Sequence, residues 1–439
     1  MIITAYIIAY IASYLCARAG HNILSGIILV LMAIALHVRD YLRTKNIINL
    51  RGLFTLGFLG GEGISCLKLS YLQTDWDIMT WISFFIAFIV FYLVYELLSI
   101  NRQKIDGRIK LLDKAVKTAN PPDIKKLMIC TIVLSAVSLA CFVFEAAVLG
   151  YIPLFVKGVP HAYSYFHISG VHYFTVSCVI VPSLCVIWML KNNMKTTGGI
   201  IIMILCALTA FAIPLLCVSR FQFVFAVAMA AFTFIVVKRD VPVKLIVGAV
   251  LAAVAAFAVL SVARSHDAGY LNSIFEMKVN LPVDVSRVYI YIANNYDNFD
   301  CMVRQLPAHT MGLKLLFPVW ALTGLKFVCP QLVSFPLFLT KEELTTLTLF
   351  YDFYYDFGVL GVFIGSGLIG TAAWVLERLT IDRDDPMAGL FYAQFAIYMM
   401  LSFFTTWFSN PTTWFYLAVT AVIYLVCRNN KSHSADISG

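Results

Sequence analysis

Apolar stretches of about 20 residues alternate with short polar gaps along most of this 439-residue chain. A stretch of that length can cross the hydrocarbon core of a bilayer as an α-helix. Hydrophobic residues make up 61% of the chain and charged residues only 13%, so a soluble fold would have too few polar side chains to cover its surface. The sequence therefore predicts an all-α polytopic membrane protein that forms a single integral membrane domain over residues 1–439.

We predict twelve membrane-spanning helices and one long polar loop. The loop covers residues 264–345, lies between the ninth and tenth helices, and is predicted to be mostly helical. The twelve predicted helices cover residues 2–16, 22–38, 53–72, 78–99, 127–149, 170–190, 198–217, 220–237, 244–263, 356–377, 387–406 and 411–427.

The distribution of Lys and Arg predicts how these helices are oriented. Of the 32 Lys and Arg residues, 21 lie in alternate gaps, most densely in the gap 100–126. Because gaps rich in Lys and Arg stay on the cytoplasmic side, we predict that they and both termini are cytoplasmic and that the loop 264–345 is extracytoplasmic. Insertion and anionic lipid explain the net charge of +8, so no nucleic-acid partner is predicted.

Residues 311–338 are apolar enough to suggest a further span. Pro318, Pro330 and Pro336, together with two lysines, argue against a continuous helix through lipid. A crossing here would also invert every later gap and break the Lys and Arg pattern. We therefore predict an interfacial or re-entrant segment.

Cysteine and histidine spacing indicates no metal site. Most of the 11 cysteines lie in apolar stretches, where a thiol behaves as a small hydrophobic group. No CxxC or Cys/His spacing of a zinc site occurs, so neither a metal nor a cofactor is predicted. Only Cys301 and Cys329 lie in the predicted loop, where a disulfide between them is the alternative to two free thiols.

Two acidic residues lie inside predicted spans, where an unpaired charge is costly. Glu62 lies in the sequence GGEG (60–63), whose glycines allow close helix packing. Glu145 lies near the outer end of its helix. In one interpretation each forms a buried pair with a Lys or Arg, for example Glu62 with Lys68. In the other, Glu62 forms part of a substrate-binding cavity.

Arginines on the predicted outer side are candidates for phosphate binding. Arg220 lies in the short turn VSRFQ between two spans, and Arg264, Arg287 and Arg304 lie in the long loop. A guanidinium is always charged, and its planar fork of donors suits phosphate oxygens. The alternatives are an arginine that reaches the membrane interface and a solvated loop surface.

The stretch KEELTTLTLFYDFYYDFGVLG (341–361) concentrates carboxylates, hydroxyls and aromatic rings before a predicted span. Candidates for a general base are its acidic residues and two loop histidines: Glu342, Glu343, Asp352, Asp356, His266 and His309. Aromatic faces suit sugar rings, so Tyr351 is a candidate for substrate contact. Asp356 has a second interpretation, as the N-cap of the helix that follows it.

The order of these motifs resembles the oligosaccharide repeat-unit polymerases, which are the Wzy-type O-antigen or capsule polymerases. The resemblance rests on GYIPLF (150–155), on Ser-Arg before a span, on the long loop, and on YYDFGVLG (354–361). It implies a GT-C-like fold related to that of the O-antigen ligases. Arg220, Asp356 and Gly358 match positions of the family motifs.

The resemblance also implies a function. It predicts a metal-independent glycosyltransferase that polymerises undecaprenyl-pyrophosphate-linked repeat units on the outer face of the bacterial cytoplasmic (inner) membrane. Membrane lipid would surround it, and a flippase and a chain-length regulator of the same pathway would be partners. The chain lacks the paired R-x10-G motifs that some members carry in the loop, so roles for its loop arginines rest on chemistry.

Two alternative functions stay open from the sequence. A lipid-linked oligosaccharide flippase would place charged sites in discontinuous helices of both halves of the chain. An O-antigen ligase would share the fold and transfer the glycan to a different acceptor.

Overall fold

The computed structural model describes residues 2–109, 122–156, 164–192, 196–239, 268–382 and 385–428, with single positions between 244 and 255. Regular structure in these ranges is helical, apart from one isolated β-bridge between Ser70 and Met277. Among the residues that the structure describes, seven helices are long and apolar enough to cross a membrane. The prediction of an all-α polytopic membrane protein is confirmed at this level.

The α-helices follow one another along the chain with short 3-10 and π turns between some of them. In chain order they are α1 (Ile2–Arg18), α2 (Asn22–Thr44), α3 (Leu50–Phe54), α4 (Gly60–Cys66), α5 (Ile78–Ile109), α6 (Ile124–Leu149), α7 (Val171–Val176), α8 (Val181–Lys191), α9 (Thr197–Leu216), α10 (Arg220–Lys238), α11 (Ala268–Phe275), α12 (Val283–Gln305), α13 (Phe317–Leu322), α14 (Leu325–Val328), α15 (Tyr351–Glu377), α16 (Ala388–Met400) and α17 (Pro411–Cys427).

Most of the predicted spans correspond to helices, with differences in length. The seven long apolar helices occupy Asn22–Thr44, Ile78–Ile100, Ile124–Leu149, Val171–Lys191, Thr197–Leu216, Arg220–Lys238 and Tyr351–Thr380. The helices α1, α16 and α17 are apolar but shorter, with 10–17 residues each. The predicted span 53–72 ends early and is interrupted, since a π turn at Thr55–Leu59 separates α3 from α4. Apart from single positions between 244 and 255, the predicted span 244–263 lies outside the described residues.

The described residues group into two compact units. The first contains those of 1–114, 267–375 and 398–413, and the second contains those of 115–266, 376–397 and 414–439. From residue 267 onward, the predicted loop 264–345 therefore belongs to the first unit, together with the N-terminal helices.

In the first unit, helices approach one another closely where glycines replace larger residues. A Cβ on Gly26 of α2 would lie 2.5 Å from the carbonyl oxygen of Gly63 in α4, so neither helix has room for a side chain there. On another side of α4, a Cβ on Gly61 would lie 2.6 Å from the hydroxyl of Tyr296 in α12. The glycines of GGEG thus permit close packing, as predicted.

Helix α12 is buried although its sequence is polar. Its asparagines and aspartates satisfy backbone and side-chain groups of neighbouring segments. The amide nitrogen of Asn298 donates to the carbonyl oxygens of Leu344 and Thr346 at 2.8 and 3.0 Å. The Tyr296 hydroxyl donates to the Phe58 carbonyl oxygen at 2.6 Å. These bonds hold α12 and the residues before α15 in fixed positions.

In the second unit, α8 packs against α9 and α10, and α6 packs against α7, α8 and α9. The C-terminal helix joins this group, because the Tyr416 hydroxyl donates to the Val176 carbonyl oxygen at 3.1 Å. A tight turn links α9 to α10: Ser219 N donates to the Pro214 carbonyl oxygen at 2.8 Å. Within this turn Val218 has a φ of 52°.

Candidate functional site

Lys314 and Asp352 lie beside each other in the first unit. Asp352 is the second residue of α15, and Lys314 lies in the turn before α13. The Lys314 Nζ is 3.5 Å from Asp352 Oδ1, and the side chains are 12% and 7% exposed. Asp352 Oδ2 accepts a hydrogen bond from the Ser409 hydroxyl. Asp352 Oδ1 is buried and accepts none from any described residue, so it can accept one from a ligand.

This ion pair forms part of the wall of a cavity of about 400 Å³. Such a volume is within the usual range of small-ligand sites. The lining is apolar on one part (Leu313, Phe317, Leu332, Val333, Phe335, Leu337, Leu347 and Pro411) and polar on another (Lys314, Asp352, Thr406, Ser409 and Asn410). A cavity with both kinds of wall suits an amphiphilic ligand.

Two tyrosines hold the Lys314 ammonium. It lies 4.2 Å from the centre of the Tyr355 ring and 5.5 Å from that of Tyr351. An aromatic face attracts a cation, so both rings stabilise the ammonium group at this position. The Tyr351 hydroxyl accepts a hydrogen bond from Phe338 N at 3.0 Å. Tyr351 was predicted to contact a sugar. In the structure its ring contacts the Lys314 ammonium, and Tyr351 is not among the residues that line the cavity.

Asp356 holds the backbone that carries Lys314. Its Oδ2 accepts from Leu315 N at 2.7 Å, and its Oδ1 accepts from Lys314 N at 3.2 Å and from the Thr310 hydroxyl. The alternative of an N-cap is wrong, because the donors to this carboxylate lie in residues 310–315 and not in the helix that follows the Gly358 kink. Since both oxygens are occupied and the residue is fully buried, the geometry favours a positioning role over proton transfer.

His309 packs against a kink in α15. Gly358 has φ 60° and ψ −147°, and a Cβ there would lie 3.0 Å from His309 Nε2, so glycine is required on both counts. The His309 Nδ1 lies 3.2 Å from the Tyr355 carbonyl oxygen, to which it donates. The ring therefore contacts the helix backbone on two sides, and the structure does not place it in the lining of the cavity.

The described loop arginines, Arg287 and Arg304, do not line the cavity. Arg287 pairs with Asp284 at 3.1 Å. Arg304 pairs with Asp300 at 2.6 Å and also donates to the Asp75 carbonyl oxygen. Glu343 and its neighbour Glu342 are exposed. Arg264 and His266 lie outside the described residues.

Glu62 and Lys68 do not pair with each other. Glu62 is fully buried and accepts the Tyr10 hydroxyl at 2.8 Å. Lys68 Nζ instead lies 2.6 Å from Asp297 Oδ1 in α12. Glu62 is therefore part of the helix packing, and the structure does not place it in the lining of the cavity.

In the second unit, Glu145 is paired with a histidine and with neither Lys nor Arg among the described residues. Its carboxylate contacts His172 Nδ1 at 3.1 Å. Arg220, in the same unit, is the first residue of α10 and is 7% exposed. The tight turn predicted around Arg220 is thus present.

All eleven cysteines are free thiols, so the disulfide between Cys301 and Cys329 is not formed. Within the described ranges, no group of three or more His, Cys, Asp or Glu side chains could hold a metal ion.

The sequence did not indicate the polar contacts of three residues. Lys314 and Ser409 contact Asp352, and His172 contacts Glu145. Lys314 was noted only as an argument against a span, although a lysine inside an apolar segment is a signal of function in membrane proteins. Ser409 and His172 carry no local signal, because their partners are distant in sequence: Ser409 lies 57 residues from Asp352.

Comparison of this chain with known families, proteins and structures identified no relative. No protein-family model, no curated protein and no solved structure matches this chain. The chemistry of the site must therefore be argued from its geometry. The cavity offers one ammonium, one carboxylate with a free acceptor, hydroxyl and amide groups, and an apolar wall, and these groups can bind a molecule that carries an anion, hydroxyls and a hydrocarbon chain.

Proposed function

We propose that this chain is a glycosyltransferase that joins undecaprenyl-pyrophosphate-linked repeat units into O-antigen or capsular polysaccharide, on the outer face of the bacterial cytoplasmic membrane. The observation that carries the proposal is the cavity of the first unit, where the buried Lys314–Asp352 pair faces apolar side chains. A lipid-linked saccharide has the matching groups, namely a negative pyrophosphate, sugar hydroxyls and a polyprenyl chain.

Each part of the lining has a role in this proposal. The Lys314 ammonium attracts the phosphate, and Asp352 Oδ1 accepts a hydrogen bond from a sugar hydroxyl. Phe317 and Phe335 contact the first isoprene units or a sugar face. Because Tyr351 and Tyr355 surround Lys314, its charge is held in place before the substrate binds.

The reaction exchanges one bond to the anomeric carbon for another. The acceptor hydroxyl oxygen bonds to that carbon, and the bond from the carbon to the phosphate oxygen breaks. The electron pair leaves with the lipid pyrophosphate, and the hydroxyl proton passes to a basic side chain. Lys314, which lines the cavity, would neutralise the leaving group, so the reaction would need no metal. A flippase would deliver the substrate before this reaction, and a chain-length regulator would act together with the enzyme.

A flippase for the same lipid is the second candidate, because two helices of the first unit are interrupted. A π turn follows α3 at Thr55–Leu59, and the fully buried Glu62 lies three residues beyond it. Helix α15 is kinked at Gly358. Interrupted helices beside buried charged groups are typical of transporters. An O-antigen ligase would use the same glycosyl chemistry with another acceptor.

Purified protein in detergent distinguishes these candidates. Given one lipid-linked repeat unit as both donor and acceptor, a polymerase forms products of two, three and more units, which separate as a ladder on a gel. A flippase changes no covalent bond, and detergent removes the two compartments that it needs. A ligase forms product only when a separate acceptor lipid is added. Absence of any ladder from folded protein would contradict the proposal.

A further inference from the structure

The Lys314–Asp352 ion pair leaves hydrogen-bonding groups of both residues unused. The Lys314 Nζ is 3.5 Å from Asp352 Oδ1, which is beyond the range of about 2.7–3.2 Å for a hydrogen bond from nitrogen to oxygen. Within the described ranges, Oδ1 accepts no hydrogen bond, and the partners of the ammonium are this carboxylate and the faces of the Tyr351 and Tyr355 rings. An ammonium with three N–H donors and a carboxylate oxygen can therefore both bond to a ligand.

A second buried pair of the first unit shows the difference. Lys68 Nζ lies 2.6 Å from Asp297 Oδ1, and the Trp76 indole nitrogen donates to the same oxygen at 2.8 Å. The other oxygen of Asp297 accepts from the Gln73 amide nitrogen at 2.7 Å. Both oxygens of that carboxylate are bonded, so this pair holds the fold together. The pair beside the cavity lacks such bonds, and a ligand can supply them.

The cavity lining contains one carboxylate. Among the described residues that line the cavity, Lys314 and Asp352 are the two with ionisable side chains. The Ser409 hydroxyl donates to Asp352 Oδ2, so it orients the carboxylate and leaves Oδ1 for a substrate. Asp356 and His309 do not line the cavity, and both oxygens of Asp356 are already bonded. A general base has to lie within hydrogen-bond reach of the acceptor hydroxyl, so the cavity favours Asp352.

Lys314 is anchored at its backbone and held more loosely at its ammonium. Its backbone N–H donates to Asp356, whereas the ammonium makes an ion pair without a hydrogen bond. A pyrophosphate carries more negative charge than one carboxylate, so a bound donor attracts the ammonium away from Asp352. Asp352 Oδ1 is buried in the structure, so a neighbouring group has to move before an acceptor hydroxyl can reach it.

We propose that Lys314 exchanges Asp352 for the donor pyrophosphate and that Asp352, once released, is the general base, an inference that rests on the proposed function. The donor therefore binds before the acceptor. As the acceptor oxygen bonds to the anomeric carbon, the bond from that carbon to the phosphate oxygen breaks. Its electron pair leaves with the lipid pyrophosphate, and the hydroxyl proton passes to Asp352 Oδ1. When the products leave, Asp352 releases this proton to solvent and pairs with Lys314 again.

The substitution Asp352→Asn should change binding and turnover in opposite directions. An amide does not compete for the ammonium, and it cannot take a proton. We expect the kcat of chain extension by purified protein to fall by about 100-fold or more. The affinity for farnesyl pyrophosphate, titrated by calorimetry in detergent and EDTA, should rise by about fivefold or more. A carboxylate that only supports packing would give no gain in affinity when it is removed.

Asp75→Asn is the matched control. It makes the same chemical change at an exposed carboxylate of the first unit that does not line the cavity. Both the affinity and the rate of Asp75→Asn should stay within about twofold of the unmodified protein. If Asp352→Asn does not fold, the double variant Lys314→Met with Asp352→Asn decides instead, because it contains no uncompensated charge. Its affinity for farnesyl pyrophosphate should fall by about tenfold or more.

Two results with folded Asp352→Asn would each overturn the inference: extension within about twofold of the unmodified rate, or an unchanged affinity for farnesyl pyrophosphate. An unchanged affinity in the double variant would do the same. If the unmodified protein makes no polymer, the proposed function fails, and the proton transfer fails with it. The calorimetry then still tests the exchange of partners: a raised affinity in Asp352→Asn supports it, and an unchanged affinity contradicts it.

Discussion

Lys314 contacts two carboxylates of α15 with different parts of the same residue. Its ammonium lies 3.5 Å from Asp352 Oδ1, and its backbone N–H donates to Asp356 Oδ1 at 3.2 Å. The two aspartates are one helical turn apart, so one face of α15 fixes both the backbone and the side chain of the lysine. The charge that we assign to substrate binding is therefore positioned before any substrate arrives.

Removing the lysine charge alone should destabilise the fold. Lys314→Met keeps the length of the side chain but leaves Asp352 buried without its counter-ion, which costs about 3–5 kcal/mol. The double variant Lys314→Met with Asp352→Asn contains no uncompensated charge and should regain most of the melting temperature in detergent. It should not regain chain extension. Equal melting temperatures for the single and double variants would contradict a coupled pair.

Asp356 should matter for structure, because its carboxylate accepts hydrogen bonds from the turn that carries Lys314. In Asp356→Asn one oxygen becomes an NH2 group that faces a backbone N–H of Lys314 or Leu315, which costs about 1–3 kcal/mol. We expect a lower melting temperature and weaker substrate binding, because the turn that carries Lys314 shifts. Glu343→Gln, at an exposed carboxylate, is the matched control and should leave both unchanged. A normal melting temperature for Asp356→Asn would argue against this anchoring role.

The sequence predicted the fold class well because lipid imposes a simple rule on length and polarity. Helices such as α6 and α9 are apolar over enough residues to span a bilayer, and their bounds follow the prediction closely, whereas α2 runs on to Thr44. The predicted end of the span 53–72 was wrong, because the helix ends at Cys66. Lys68 has a φ of 52°, and its side chain pairs with Asp297. That partner is 229 residues away in sequence, and no local pattern indicates it.

The same limit applies to the site. The carboxylates near the start of α15 were indicated by their density, but what each one contacts depends on tertiary structure. For Asp356 the sequence left open a general base and a cap of its own helix, and its carboxylate instead bonds a turn some 41 residues earlier. The sequence placed the polar residues of α12 in a mostly helical extracytoplasmic loop and did not indicate that they are buried. They are buried because they satisfy carbonyl groups such as those of Leu344 and Phe403.

Cys329 offers a direct test of the predicted orientation. It is exposed, whereas burial and the charges of Asp297 and Asp300 raise the pKa of the Cys301 thiol to about 11, so Cys301 stays protonated and unreactive at neutral pH. A membrane-impermeant maleimide should label the protein in spheroplasts at pH 7.5, and Cys329→Ser should abolish labelling.

The control for this experiment is on the predicted cytoplasmic side. Lys125→Cys, placed at an exposed position in the Cys329→Ser background, should be labelled only after the membrane is permeabilised. Labelling of Lys125→Cys in sealed spheroplasts, with none at Cys329, would show that the orientation is inverted.

Chain extension should continue in the presence of EDTA. Lys314 supplies the positive charge that stabilises the leaving pyrophosphate in our account. The rate of ladder formation by purified protein in excess EDTA should equal the rate without chelator. Loss of activity that magnesium or manganese restores would mean that a metal ion performs this role.

The central claim is that the cavity beside Lys314 and Asp352 holds the substrate, and filling it tests that claim most directly. Val333 lines the cavity, whereas Val328 is 77% exposed and outside it. Ladder formation by purified Val333→Trp should fall by about 100-fold, because the indole displaces the substrate from its reactive position. Val328→Trp should remain within about twofold of the unmodified protein. Equal rates for the two tryptophan variants, with both proteins folded, would contradict the account.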